Sequence, residues 1–153
     1  MPLSQPKLKD SLRIILDKDY LGFSGFPTTS AEVGLAWGEA LNKYFEDIAV
    51  PAGITGERLA AAKSAFAVIF VPTFAAPTAL ALFSTAMTAY AATLVAVPAP
   101  IPGALPPPAP LTLNPLPNTT SAEVAANTIA AAVDVWARTG TLTLPPAAPV
   151  PWS

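Results

Sequence analysis

Nine of this chain's nineteen prolines fall in one uncharged stretch, VPAPIPGALPPPAPLTLNPLP, from Val97 to Pro117. A proline ring fixes φ and removes a backbone donor, so such a stretch cannot lie inside a helix or a central strand. Whatever fold forms must therefore be built on either side of it and tolerate an extended join. In polyproline II geometry the stretch reaches at most about 60 Å, at roughly 3.1 Å per residue. Its carbonyls have no internal partners, and Ile101, Leu105, Leu111, Leu113 and Leu116 would be left in water. A segment of this kind lies along another protein or back over its own helices, and the pre-set proline angles lower the entropy cost of ordering it. PPAP at Pro107–Pro110 matches a PxxP pattern, but no Arg or Lys flanks it to orient an SH3 domain.

Charge is as uneven as proline. Residues 1–63 carry seven of the eight basic and eight of the ten acidic side chains, and Ser64–Ala122 is a run of 59 residues without any charge. A soluble monomer spreads charge over its whole surface, so the second half is expected to be covered by partners or by lipid. The net charge is −2 with no basic block, which argues against nucleic-acid binding through phosphate neutralisation. Disulfides and thiolate metal sites are excluded because there is no cysteine. With 153 residues, of which 52% are apolar, the chain is long enough for one domain with a real core.

Apolar spacing predicts five helices and no alternating strands. The first spans about 6–18, capped by Ser4, with Leu8, Leu12, Ile15 and Leu16 on one face. The second runs over about 30–48 behind a Thr29/Glu32 capping box, burying Val33, Trp37, Leu41, Tyr44 and Ile48. The third starts near Thr55 or Gly56 and runs to about Val71, burying Leu59, Ala62, Phe66 and Ile69. The fourth starts near Pro77, with Leu80, Phe83, Met87, Tyr90 and Leu94 as its seam. The fifth opens on a second capping box, Thr120 with Glu123, buries Ala125, Ile129, Val133 and Trp136, and ends at Gly140. The hexapeptide TTSAEV begins both the second and the fifth, and it reads as the same capping chemistry used twice rather than as a duplication. The glycine- and phenylalanine-containing loop at 22–27 is expected to pack two aromatics on the core. Asn118–Thr120 matches a glycosylation acceptor and reads as a polar turn, since the charged N-terminal stretch does not resemble a secretory signal.

The expected architecture is thus all-α: a small bundle of four to five helices with long proline-rich arms. Residues 1–96 form the helical domain, 97–118 an extended arm, 119–140 a helix packing back on that domain, and 141–153 an extended C-terminal tail. TLTL at Thr141–Leu144 is the one strand candidate, suited to adding to a partner's sheet edge. Leu142, Leu144, Val150 and Trp152 in the tail, like the five apolar residues of the arm, are expected to bind a partner, with Trp152 as the anchor.

Catalytic chemistry has little to work with. There is no histidine or cysteine, and the acids alternate with Lys and Arg on helix faces, as on a solvated surface. Glu39 and Lys43 make an i, i+4 pair. Asp17 and Asp19 read as a charged helix end rather than as metal ligands, and GITGERL lacks the Lys-Ser/Thr of a phosphate-binding loop. No catalytic residue, cofactor, metal or small-molecule substrate is expected. Residues 78–97 are long enough to cross a bilayer, but four threonines and a serine interrupt them and basic anchors are far away, at Lys63 and Arg138. Burial in a protein assembly accounts for the same composition, with a small holin-like membrane protein or a soluble proline-rich adaptor as the alternatives.

The layout resembles small Ala/Pro-rich structural proteins of tailed bacteriophages. The likeness runs through the helix holding Trp37, AAAKSAFAVIF at 60–70, the Ala-rich fourth helix, the proline join, the stretch Trp136, Arg138, Thr139, Gly140 and Thr141, and the closing Pro151, Trp152 and Ser153. It implies a virion protein of the tail or baseplate region, bound to other virion proteins in multiple copies, and it brings no catalytic residues.

Overall fold

Five helices form where the apolar spacing predicts them. A computed structural model describes residues 3–17, 19–20, 27–71, 76–117 and 119–153, with the side chains of Ala76 and Pro77 left aside. The helices are α1 (Gln5–Leu16), α2 (Ser30–Phe45), α3 (Gly56–Ile69), α4 (Ala76–Ala96) and α5 (Ala122–Ala137). Most of the loop expected to return two aromatics to the core lies outside the described residues.

The helix starts follow the capping chemistry, with one correction. At α2 the box is complete: the Thr29 hydroxyl accepts from the Glu32 amide at 3.2 Å, and the Glu32 carboxylate accepts from the Thr29 amide at 3.0 Å. The Thr28 amide and hydroxyl add bonds of 2.8 and 2.9 Å, and these donors, Thr28 first, hold the Glu32 carboxyl below its usual pKa. At α5 the cap is Ser121 rather than Thr120, one residue later in the same hexapeptide, and its hydroxyl accepts from the Val124 amide at 3.2 Å. Val124 cannot return the bond, so this cap is one-sided. The physical reason lies in the partner of Glu123: its carboxylate faces Lys9 and Arg13 of α1, each at 3.6 Å, instead of turning back to the cap. Ser4 occupies the cap of α1 without a side-chain bond, whereas the Thr55 hydroxyl caps α3.

Each helix buries the face its spacing marks out. Leu8, Leu12 and Ile15 of α1, Trp37, Leu41 and Tyr44 of α2, Ala62 and Phe66 of α3, Phe83, Met87, Tyr90 and Leu94 of α4, and Val133 and Trp136 of α5 are all in the core. An unbroken run of aromatic contacts threads it: Phe66 to Tyr90 at 6.5 Å, Tyr90 to Phe45 at 5.2 Å, and Phe45 to Trp152 at 6.4 Å between ring centres. Neighbours pack in the order α5–α1–α2–α3–α4, so α4 and α5 are the two free flanks of the array. Ion pairs reinforce these seams from outside: Lys7 of α1 bridges Glu46 and Asp47 at 2.6 and 2.7 Å, and Lys63 of α3 holds Glu39 of α2 at 3.0 Å. Glu39 thus reaches across to α3 rather than along its own helix to Lys43.

The proline stretch closes the gap between the free flanks. Ser84 of α4 donates to the Leu111 carbonyl at 2.7 Å, and the Trp136 indole of α5 donates to the Ala109 carbonyl at 2.7 Å. Leu111 is buried between these anchors. At its upstream end, the Arg58 guanidinium donates to the carbonyls of Leu94 (3.5 Å), Val97 (3.1 Å) and Ala99 (2.6 Å). A cation at a helix C-terminus offsets the dipole and fills carbonyls that have no helical donor. The segment expected to lie on a partner is, over its middle, a wall of this chain's own core.

The tail is corrected more sharply. Three two-residue strands, β1 (Ala104–Leu105), β2 (Thr141–Leu142) and β3 (Val150–Pro151), form an antiparallel sheet in the order β1-β2-β3. Ala104 pairs with Leu142 and Leu105 with Thr141; on the other edge, Thr141 pairs with Pro151 and Leu142 with Val150. Both edges of Thr141–Leu142, the part of TLTL that forms a strand, are therefore occupied within the chain. Gly103, at φ 74°, lets the Thr143 carbonyl pass where a Cβ would stand.

Candidate interaction surface

The nine apolar residues expected to meet a partner divide into two sets. Trp152 is wholly buried, and Leu111 and Leu142 are buried with it or beside it in this chain's core. Leu113 is half-buried against that core, and Ile101 is half-buried with its amide on the Val95 carbonyl at 2.8 Å. Only Leu105 (61% exposed), Leu144 (58%), Val150 (49%) and Leu116 (37%) face solvent.

Trp152 owes its place to Gly140. A Cβ on Gly140 would lie 2.5 Å from the indole ring, so this glycine makes room for a side chain twelve positions on; α5 itself stops earlier than expected, at Ala137 with Arg138 as its cap. The Trp152 amide donates to the Gly140 carbonyl at 3.0 Å, and the Ser153 oxygen accepts from the amides of Ala49 and Val50 at 2.7 and 3.2 Å. The indole Nε1 is buried and finds no hydrogen-bond partner among the described residues. The anchor expected to bind another protein is thus a plug in this one.

Leu116 and Leu105 mark two exposed places, while Leu144 and Val150 lie in neither. Leu113 and Leu116 line an apolar groove of about 210 Å³ with Asn114 and Pro115, Ala79 and Leu80 of α4, and Thr128 and Ile129 of α5. Leu80 and Ile129 lie on the helix stripes that mark the core. Half-buried rather than enclosed, they become groove walls; a stripe does not reveal where its covering stops. The second place is the outward row of the small sheet, where Leu105, Thr141 and Pro151 stand side by side by register. Residues directly opposite in a ladder have Cβ atoms about 5 Å apart, so the row presents one continuous face.

Polar clusters bind the elements to one another. Tyr44 of α2 donates to Asp134 of α5 at 2.6 Å, and Arg138 donates to both oxygens of Asp134 at 2.9 and 3.2 Å and to the Leu3 carbonyl at 3.0 Å. Burial, then the hydrogen bond to Asp134, raises the Tyr44 phenol far above its ordinary pKa; the same carboxylate raises Arg138. Tyr90 is likewise raised, chiefly by burial, and donates to Asn42 at 2.9 Å. These groups are paired with each other. Among the described residues no three His, Cys, Asp or Glu side chains gather as a metal site, and Asp17 accepts from the Asp19 amide at 3.1 Å as a local turn. No protein-family model matches the chain, and neither a curated protein nor a solved structure matches it.

Proposed function

We propose that this chain is a non-enzymatic structural component of a phage virion, in its tail or baseplate region, docked against neighbouring virion proteins. The observation that supports this most is the groove between α4, the proline wall and α5: none of its eight lining residues titrates, and Leu80, Leu113, Leu116 and Ile129 dominate it. A surface of that kind suits an apolar contact. Six of its eight lining residues lie in the charge-free run Ser64–Ala122, where the sequence calls for a covering partner. The docking surface is narrower than the whole arm and tail, and consists of the groove with the outward row of the sheet. Mass spectrometry of purified particles tests the assignment: peptides of this chain are expected in several copies per particle, and their absence from complete particles overturns it. Leu116→Asp tests the surface, because it should lower incorporation while leaving the melting temperature unchanged.

A second reading rests on α4. Thr78–Ala96 is long and apolar enough to span a bilayer, with a mean hydropathy of 1.6, and only 39% of its most apolar window is buried. Its outward Thr85 and Thr88 hydroxyls donate to the Ala81 and Ser84 carbonyls at 3.0 and 3.1 Å, which is how such residues are tolerated in lipid. Insertion would strip Phe83, Met87, Tyr90 and Leu94 out of the core, and this places the membrane reading second. Flotation of the folded protein with liposomes would favour it; recovery in the unbound fraction would remove it.

A further inference from the structure

We propose that the segment carrying Trp152 exchanges between two copies of this chain, each seating its Trp152 beside Gly140 of the other. The segment is attached to the body only at its far end. Residues 144–149 are exposed, and the one backbone bond between Thr143 and Val150 that stays within this stretch joins the Ala147 amide to the Leu144 carbonyl at 2.8 Å. Four residues then make every anchoring contact. Val150 and Pro151 pair with β2, Trp152 fills the space over Gly140 and meets Phe45, and Ser153 exchanges bonds with Ala49 and Val50. All of these acceptors belong to the body, so a plug from a second copy finds the same contacts, and only the joining residues change path.

Three features favour the exchanged form. The joining stretch, Thr143–Pro149, contains Pro145, Pro146 and Pro149, and drawing it out into a crossing gives up only the single turn bond from the Ala147 amide to the Leu144 carbonyl. Drawn out, its seven residues span up to about 23 Å, enough to cross between two touching bodies. It carries no charge, and Leu105, Leu144 and Val150, exposed around it, would be covered where the two crossings run side by side. That burial offsets the lost freedom of association. Exchange of this kind joins copies of the chain whatever larger assembly holds them, so it does not depend on the virion reading.

Two variants with complementary defects provide the test. Trp152→Ala keeps the receiving site and lacks the plug; Gly140→Val keeps the plug and lacks the site. Each alone should sediment as a monomer. Mixed, they should form a species of doubled mass, in which the Trp152 amide of the Gly140→Val chain gains hydrogen-exchange protection. A mixture that stays monomeric, with that amide exchanging as fast as before, overturns the proposal. Should Gly140→Val fail to fold, deletion of residues 143–149 serves instead, since Leu142 joined directly to Val150 cannot turn back to pair with itself. That chain should show doubled mass with a protected Trp152 amide, and a folded monomer with an unprotected one would equally overturn exchange.

Discussion

The proline wall and the tail share a composition but are held in opposite ways. Both are uncharged, rich in proline and dotted with aliphatic residues. The wall is fixed along its length, by Arg58 at its start, Trp136 and Ser84 in the middle, and the buried Leu111 between them. The tail is fixed by β3, Trp152 and Ser153, with an exposed loop behind them. A segment tied at many points loses them one at a time and yields in steps; a segment tied at its end yields all at once. Composition cannot tell the two apart, because the ties come from side chains of α3, α4 and α5 and from a glycine.

The sharpest break in this comparison is Trp152→Ala. It should cost about 3–5 kcal/mol in urea unfolding, the range for truncating a buried aromatic, and it should also open the β2–β3 pairing to hydrogen exchange. Unchanged stability would mean that the tail is not the plug described here. Leu111→Ala should come next, at about 2–4 kcal/mol, while leaving β2–β3 protection intact, since the wall keeps its other ties. Arg58→Met should cost about 1.5–3 kcal/mol if its hydrogen bonds to the α4 end act as charge-assisted bonds, at the low end because the site is half-exposed. Increased exchange confined to Val97 and Ile101 would locate the effect.

Alkaline pH probes the body that holds both segments. Tyr44 and Tyr90 have raised folded pKa values, so their contribution to stability is complete below about pH 10, the ordinary phenol value, and is lost as pH rises beyond it. The urea midpoint should therefore fall steeply above about pH 10, and Tyr44→Phe should flatten the fall. A midpoint independent of pH in that range would place the phenols in water. The smallest effect is expected for Ser84→Ala, about 0.5–1.5 kcal/mol for the single bond to Leu111, with no change in the tail.

The helices were legible because each apolar stripe has the helical period, and α2, α3 and α5 each start behind a Ser or Thr whose hydroxyl accepts from the first turn. The one-residue shift at α5 was not, because what decides between Thr120 and Ser121 is where Glu123 finds a cation. Lys9 and Arg13 lie more than a hundred positions away. Gly140 reads in the sequence as a helix stop, yet α5 ends three residues before it, and its place as the floor under Trp152 was not legible, since a missing Cβ carries no sign of what fills its space. The groove escaped for a related reason: Leu80 and Ile129 belong to regular stripes, and nothing local marks the turn at which a stripe runs out of neighbours. The tail misled because a proline-rich, uncharged sequence without periodicity looks the same whether its partner is another protein or the body behind it.

Packing α1 against α5 joins the first helix of the chain to the last. During synthesis, α2 can cover part of the apolar face of α1 once it has left the ribosome, but the part that meets α5 waits for residues beyond 122. At 5–20 residues per second that interval is roughly 5–20 s. Throughout it, part of the face built from Leu8, Leu12 and Ile15 stands open, and Lys9 and Arg13 stand without Glu123. The proline wall is finished before α5 exists to receive it, so the gap it closes is created only by the helix that follows it. The nascent chain must therefore keep its first helix uncommitted until its last one arrives, and its vulnerability to premature association is set by translation rate as much as by the stability of the finished fold.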